Sequence, residues 1–305
     1  MATDLSEVKA RALRAISLNR KPGLHFFGFF LGITGERPAE GKADLKLGPV
    51  PAVGSQANSA VALATLVDLA LGSSIRSWYE PGARLATVTL SIQHPFRPVE
   101  GQIEAHATAP MTSDNHGLAQ ARVTDSTGAV IAEAQGWFAV LPPPPGRNLG
   151  VLPWEETEPE EPPRLTDGEL TEAETGVLKA TLAAAERANQ ASTPVMQELL
   201  SFDWRDCPDG EAHGVLPLGP ELGNRIGVMQ GGAVYGAAAL AAEKAVEGTG
   251  FVLADGHYQF LRPADGAELT AVAKVSRQGR AVAFVDVRLS VGDTLVGTGL
   301  FGFRG

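Results

Sequence analysis

The stretch Asn224-Arg225-Ile226-Gly227-Val228-Met229-Gln230-Gly231-Gly232 leads directly into a run of small apolar residues that extends to Gly248. This run shows no polar face at a period of 3.6 residues, which predicts a helix buried on most sides. The Gly pair and the preceding Asn suit a tight loop at a helix N-terminus, where backbone N–H groups lack intrahelical partners. Such a terminus either binds a polarised oxygen or is simply the tight entry to a central helix.

Composition limits the partners of the chain. Its 305 residues have room for two ordinary domains, and 25 basic against 35 acidic residues give a net charge of −10. This charge argues against nucleic acid or an anionic membrane surface as the main partner. Residues 1–21 lack the apolar core of a signal peptide, and no charge-free apolar run reaches ~18 residues. We therefore expect a cytoplasmic protein without a nucleic-acid or membrane partner.

Metal chemistry is not expected. The single cysteine, Cys207, rules out an intrachain disulfide and a zinc site built from cysteines. Five histidines are scattered without the spacing of metal ligands: His94, His106, His116, His213 and His257.

The chain repeats one order of predicted elements: two strands, an apolar helix, then four strands. In the first half the strands at 26–34 and 42–47 precede a helix at 58–71, which we expect Gly72 to end. In the second half the strands at 199–206 and 212–218 precede a helix at 231–247. The motif Arg-Pro-x-x-Gly follows the next strand in both halves, at Arg97 and Arg262.

This duplication predicts an α+β fold in which each half curls an antiparallel sheet around one buried helix. The N-terminal domain would span 1–141 and the C-terminal domain 169–305, each with a leading helix. A Pro- and Glu-rich linker at 142–168 would join them.

The element order, together with these residues, resembles the hotdog fold. More narrowly, it is similar to acyl-CoA thioesterases of the phenylacetic-acid-pathway type, duplicated into a tandem double hotdog that forms an intrachain pseudo-dimer. Their signature is Asn-x-x-Gly-x-x-His-Gly-Gly, with an acidic residue nine positions after the His. The chain matches it at Asn224, Gly227, Gly231 and Gly232, and Gln230 stands in place of the His.

The two halves differ from this pattern in complementary ways. The first keeps the acidic position, at Asp68, but has Ser59-Ala60-Val61 in place of His-Gly-Gly; the second keeps the Gly pair but has Ala239 at the acidic position. Nine helical residues span roughly 13 Å, too far for a carboxylate to act at its own helix N-terminus. In the family the sites lie at the dimer interface. The resemblance therefore implies one complete site, Asp68 facing Gly231 and Gly232, and one lost pseudo-site.

The implied activity is hydrolysis of an acyl-CoA thioester. Asp68 would attack the carbonyl or activate water, and Gly232, with Gly231, would polarise the carbonyl oxygen. Gln230 would donate a hydrogen bond but cannot accept a proton near neutral pH. Asn224 would either contact substrate or hold the loop.

Substrate-binding candidates each have a structural alternative. Asn58 and Ser59 either contact substrate or cap the first helix. Arg277 and Arg280, like Arg97, either bind the phosphates of coenzyme A or are solvated turn residues. Tyr235 lines an acyl pocket or belongs to the core. Glu243 is expected at an exposed helix end beside Lys244.

The resemblance implies no cofactor other than coenzyme A as part of the substrate, and a homodimer of double hotdogs. Two other functions remain open. A non-catalytic acyl-CoA or acyl-carrier binding protein fits the replaced His and the lost site. A hotdog hydratase or dehydratase needs an Asp/His pair, which the sequence does not show.

Overall fold

The computed structural model describes residues 4–21, 25–36, 38–48, 59–79, 83–97, 99, 101–143, 145–146, 149–155 and 161–305. Asn58, a candidate substrate-binding residue, lies outside them. The helices are α1 Leu5–Asn19, α2 Phe26–Leu31, α3 Ala60–Arg76, α4 Glu172–Ala191, α5 Val195–Leu199 and α6 Gly231–Ala245. The strands are β1 Ile33–Gly35, β2 Lys42–Leu47, β3 Arg84–Gln93, β4 Ile103–Ser113, β5 His116–Asp125, β6 Val130–Leu141, β7 Asp203–Arg205, β8 Glu211–Pro217, β9 Val252–Phe260, β10 Glu268–Gln278, β11 Val282–Val291 and β12 Thr294–Arg304.

The strands form one twelve-stranded antiparallel sheet in the order β1-β2-β4-β5-β6-β3-β9-β12-β11-β10-β8-β7. The order of the first six strands is repeated in reverse by the second six. The halves join edge to edge where β3 pairs with β9, with Leu90 opposite Tyr258. This arrangement confirms the tandem hotdog and its intrachain pseudo-dimer.

The two central helices, α3 and α6, pack against each other inside the curved sheet. Nearly every side chain of α3 is buried, which explains why its sequence has no polar face. The backbones come unusually close at Gly232 and Gly236. A Cβ at Gly232 would lie 2.5 Å from Thr65 Cα, and one at Gly236 would lie 3.0 Å from Val61 Cα. Only glycine fits at these two positions without a shift of the helices.

The strand predicted at 26–34 is wrong over most of its length, because residues 26–31 form helix α2 and only Ile33–Gly35 is a strand. The His25 side chain accepts a hydrogen bond from the Gly28 N–H and caps the helix. Phe26 and Phe30 stack one turn apart, with ring centroids 5.4 Å apart. Gly32 ends the helix in the left-handed conformation, with φ 78°. An apolar run of this length fits a buried helix as well as a strand.

Two other predicted boundaries are also wrong. Gly72 does not end α3, which continues to Arg76 because packing inside the sheet outweighs the low helix propensity of one glycine. The strand predicted at 199–206 is shortened to β7, and α5 precedes it.

Part of the predicted linker packs on the first half. The Trp154 side chain is buried and its indole N–H donates to Ser73 Oγ on α3 over 3.0 Å. The domain boundaries at 141 and 169 stay a prediction. Among the described residues, no helix has the length and apolar content needed to cross a membrane.

The close approach of the helices predicts a stability difference between two Gly-to-Ala variants. Gly236→Ala should lower stability by about 1–3 kcal/mol, because its Cβ would meet the Val61 backbone. Gly176→Ala is the control, since Gly176 lies on α4 with no atom within 4 Å of the added Cβ. It should gain up to about 1 kcal/mol from helix propensity. Thermal unfolding of both variants checks this, and an unchanged midpoint for Gly236→Ala would contradict the packing.

Candidate active site

Asp68 is the charged residue at the centre of the site. It lies on α3, the residue is 8% exposed, and the second half of the molecule supplies two of its three hydrogen-bond partners. Thr87 Oγ1, on β3, donates to Oδ1 over 2.8 Å. Gln230 Nε2, from the second half, donates to Oδ2 over 2.8 Å. Both carboxylate oxygens are therefore held in place.

Gln230 also caps α6. Its Oε1 accepts a hydrogen bond from the Ala233 N–H over 2.8 Å, while its Nε2 donates to Asp68. These two contacts fix the orientation of the side-chain amide, because each end meets a partner of the opposite kind. Gln230 is itself 2% exposed, so the contact is shielded from water. Gln230 therefore orients the Asp68 carboxylate.

The Gly pair brings the α6 N-terminus against Asp68. A Cβ at Gly231 would lie 2.9 Å from Asp68 Oδ2 and 3.2 Å from Thr87 Oγ1. The Gly232 backbone also hydrogen-bonds to the Asp68 carboxylate, which lowers the pKa of Asp68. The structure thus places Asp68 beside Gly231 and Gly232, and their catalytic roles stay predictions.

Burial sets the protonation of Asp68. Loss of hydration raises its pKa from 3.8 to about 6, although the hydrogen bonds from Thr87, Gly232 and Gln230 act in the opposite direction. The group is therefore a carboxylate at neutral pH but a stronger base than an exposed Asp. A base with a pKa near neutrality is suited to remove a proton from water.

Asp68 faces a cavity of about 290 Å³ between the two halves. This volume lies at the small end of the usual range for ligand cavities, about 300–1,000 Å³. One wall comes from α3 and β3, and the opposite wall comes from the loop at 224–231 and the Arg-Pro motif at Arg262. Leu149 and Leu152, from the predicted linker, also line it. The site therefore needs both halves of the chain.

Asn224 lines this cavity, but its side chain holds the loop. Its Oδ1 accepts hydrogen bonds from the backbone N–H groups of Ile226 and Val228, at 2.9 and 3.3 Å. Ser59 lies outside the lining and caps α3 by accepting from the Ala62 N–H over 3.3 Å. The contacts of both residues match their structural alternatives: Asn224 holds the loop and Ser59 caps the helix.

Three other candidates also lie outside the lining of this cavity: Tyr235, Arg277 and Arg280. Tyr235 is fully buried, with its hydroxyl 3.2 Å from His94 Nε2. Arg277 follows a bulge in β10 and is exposed, as is Arg280 in the turn that follows. Arg97 forms an ion pair with Asp125 at 2.9 Å. Contact between any of these residues and substrate stays a prediction.

The second, symmetry-related position carries no carboxylate at its expected place, because Ala239 fills it and is fully buried. Glu243 does not pair with Lys244, which instead contacts Glu247. Burial raises the pKa of Glu243 to about 7. The expectation of an exposed Glu243 paired with Lys244 is therefore wrong, because the side chain turns toward the protein.

No pattern in the sequence indicated that Thr87 belongs to the site. It lies beside a bulge in β3, where Thr87 pairs with Phe138 and Thr89 pairs with Trp137. A bulge interrupts the alternation of inward and outward side chains, so parity along the strand does not tell which way Thr87 points. His25, Arg76 and Arg225 also line the cavity. Arg225 lies within residues 224–232, and this position beside the Gly pair is the sequence feature that could have indicated a place in the site.

No group of three or more His, Cys, Asp or Glu side chains is arranged to hold a metal ion within the described ranges.

Comparison with known proteins shows a family match over part of the chain and a fold likeness over most of it. Residues 220–303 match the family model described as the acyl-CoA thioesterase N-terminal domain. The match falls on the half that carries the Gly pair. No curated protein shows a sequence match to the chain.

Solved structures agree over nearly the whole length. The tesB protein of Mycobacterium avium subs paratuberculosis is 12% identical, with a TM-score of 0.52 and 99% of each chain covered. The acyl-CoA thioesterase II TesB2 of Mycobacterium marinum is 12% identical, with a TM-score of 0.50, covering 89% of this chain and 95% of that one. At these identities the likeness establishes the fold. The chain therefore has the tandem hotdog fold, and its match to the acyl-CoA thioesterase family model extends over residues 220–303.

The raised pKa of Asp68 predicts a pH-dependent stability cost. Between pH 3.8 and about 6 the folded state binds more protons at this group than the unfolded state, so stability falls as pH rises. Asp68→Asn should therefore be more stable than the wild type at pH 8, by up to roughly 3 kcal/mol. An Asn amide can still donate to the Thr87 hydroxyl and accept from Gln230.

Denaturant unfolding at pH 8 and pH 4 tests this expectation. The advantage of Asp68→Asn should shrink at pH 4, where the wild-type group is largely protonated in the folded state. Thr89→Val, on β3 outside the cavity lining, is the control, because it exchanges no titrating group and its effect should be the same at both pH values. A wild type more stable than Asp68→Asn at pH 8 would contradict the assignment.

Proposed function

We propose that the protein hydrolyses acyl-CoA thioesters at Asp68, with the ionised carboxylate acting as general base on a water molecule. The observation that carries the proposal is the buried Asp68 carboxylate held by Thr87 and Gln230 beside the α6 N-terminus. The match of residues 220–303 to the acyl-CoA thioesterase family model supports acyl-CoA as the substrate class. The cavity supplies a place for the acyl group.

The hydrogen bonds favour water activation over direct attack. Three donors hold the carboxylate in one orientation, from Thr87, Gln230 and the Gly232 backbone. A carboxylate offers about four acceptor positions, so one remains for a water molecule. A covalent anhydride would remove the negative charge that these three donors stabilise, whereas a bound water leaves the carboxylate ionised.

The reaction balances through this one base. Asp68 takes a proton from water as the hydroxide oxygen bonds to the carbonyl carbon. The carbon–sulfur bond then breaks, the proton passes from Asp68 to the departing thiolate, and the acyl group leaves as a carboxylic acid that loses its remaining proton to solvent. Asp68 returns to its ionised form without a second titrating residue.

The oxyanion formed in this step needs a donor near the carbonyl. Gly231 is the first residue of α6 and lines the cavity, and its N–H has no hydrogen-bond acceptor among the described residues. A free N–H at a helix N-terminus stabilises negative charge on an adjacent oxygen. The Gly232 N–H already donates to Asp68. We therefore assign stabilisation of the oxyanion mainly to Gly231 and not, as the sequence predicted, mainly to Gly232.

Removing the carboxylate should remove the activity. Asp68→Asn and Asp68→Ala are each expected to lower kcat/KM by a factor of roughly 10² or more, a typical loss for a general base. Release of coenzyme A thiol is measured across acyl-CoA chain lengths. Undiminished turnover in both variants would contradict the mechanism. Tight acyl-CoA binding without thiol release by the wild type would favour the non-catalytic binding protein, and water addition to an enoyl-CoA would favour a hydratase.

The pH profile offers a separate test through Thr87. The wild-type kcat/KM should rise with pH and level off above about 6, as Asp68 ionises. Thr87→Val removes a hydrogen bond that lowers the pKa of Asp68, so the rise should move to higher pH. Thr87→Ser keeps the hydroxyl and should restore the wild-type profile.

Thr89→Val is the matched control, because Thr89 lies on the same strand but outside the cavity lining. It should leave the profile in place. An identical profile for Thr87→Val and the wild type would show that Asp68 does not set the pH dependence.

A further inference from the structure

The cavity extends well beyond Asp68. Five residues of α3 line it, spaced along one helix face: Asp68, Leu69, Gly72, Ser73 and Arg76. Asp68 and Arg76 are eight residues apart, which corresponds to about 12 Å along the helix axis. The Arg76 guanidinium donates to the Ala83 carbonyl just before β3, whereas Asp68 accepts from Thr87 further along that strand. An acyl group whose carbonyl is at Asp68 would have its far end near Arg76.

This far end carries two guanidinium groups and one carboxylate. The Arg76 side chain is 10% exposed, with Nη1 donating to the Ala83 carbonyl over 2.6 Å. Its Nε lies 3.6 Å from Glu155 Oε1 and makes no hydrogen bond to a described residue. Arg225 Nη1 donates to the Leu149 carbonyl over 3.1 Å. Burial, together with repulsion by the Arg76 charge, lowers the pKa of Arg225 to about 10. The three groups together leave a positive charge at the cavity wall.

His25 adds an unpaired donor to the same cavity. It is 4% exposed, and its Nδ1 accepts the Gly28 N–H over 3.1 Å. Burial and the nearby Arg225 lower its pKa to about 3, so the ring is neutral at physiological pH and carries its proton on Nε2. This buried Nε2–H has no acceptor among the described residues. An unsatisfied buried donor costs about 1–3 kcal/mol, which an acceptor on a bound molecule would recover.

We propose that Arg76, Arg225 and His25 form a subsite for an anionic oxygen at the far end of the acyl group, so that the preferred substrates are thioesters of dicarboxylic acids. This inference rests on the proposed function, because it assumes that the thioester carbonyl binds at Asp68. A guanidinium matches a carboxylate in both charge and geometry.

Oxyanions of this kind come from two sources, a carboxylate on the acyl group or a phosphate of coenzyme A. Burial favours the carboxylate. The nucleotide of coenzyme A is large and multiply charged, whereas the cavity measures about 290 Å³ and both Arg76 and His25 are nearly inaccessible. Arg262 also lines the cavity but is exposed, a position better suited to a phosphate.

The decisive measurement compares acyl groups of equal length. We expect kcat/KM of the wild type to be higher for adipoyl-CoA than for hexanoyl-CoA. The same two acyl groups attached to pantetheine, which lacks the phosphates of coenzyme A, should show the same preference. Arg225→Gln should reduce the preference roughly 10- to 100-fold, the value of a charged hydrogen bond, while hexanoyl-CoA hydrolysis continues.

Two further variants complete the test. Glu155→Gln removes a carboxylate beside the arginines and should increase the preference for adipoyl-CoA, the opposite of Arg225→Gln. Arg288→Gln, an exposed change on β11, is the control and should leave the ratio unchanged. The opposite directions separate loss of the subsite from a general loss of folding.

Three outcomes would overturn the inference. They are an absence of preference in the wild type, a preference that disappears with the pantetheine thioesters, and an Arg225→Gln variant that keeps the wild-type ratio. A subsite that binds a phosphate of coenzyme A predicts instead no preference between the two acyl groups and a lower kcat/KM for both pantetheine thioesters. Hydrolysis of hexanoyl-CoA in each case would leave the proposed function standing, and an absence of hydrolysis with every thioester would remove both.

Discussion

The contact between the two central helices is the constraint on which the site depends. Gly232 and Gly236, one turn apart on α6, let its backbone lie against that of α3 at Thr65 and Val61. A side chain at either position would push the helices apart. Because the α6 N-terminus is held there, Gln230 reaches the Asp68 carboxylate and the Gly231 N–H borders the same cavity. The close packing of α3 against α6 is therefore also the condition for the geometry of the site.

That geometry keeps a charge where burial disfavours it. Asp68 is nearly inaccessible, and its raised pKa shows that three hydrogen bonds offset only part of the lost hydration. The same shift gives the carboxylate a basicity suited to water activation near neutral pH. The stability lost at Asp68 and the proposed activity have one physical origin. The arginines and His25 at the far end follow the same logic, since they too are buried without full compensation.

The two halves of the molecule keep one architecture and have divided the functional groups between them. The first half supplies Asp68 and Thr87, and the second supplies Gln230 and the Gly pair. At the symmetry-related position Ala239 stands in place of the acid, and Ala60-Val61 stand in place of the Gly pair at the start of the first helix. An intrachain pseudo-dimer makes this division possible, because a homodimer of identical chains would lose or keep both sites together.

The sequence alone determined the duplication, the buried central helices and the complementary loss of the acid and the Gly pair. The first two follow from local pattern, the period and the repeated motif, and the third follows from comparing each half with the signature of the family that the chain resembles. It did not determine the short helix at Phe26–Leu31, since an apolar run of that length fits either structure. The tertiary structure decided that Thr87 holds Asp68, that Gln230 orients it from 162 residues away, and that His25 and two arginines meet at one end of the cavity. Contacts between positions so far apart leave no periodic trace in the chain, and the bulge beside Thr87 removes the one local rule that applied there.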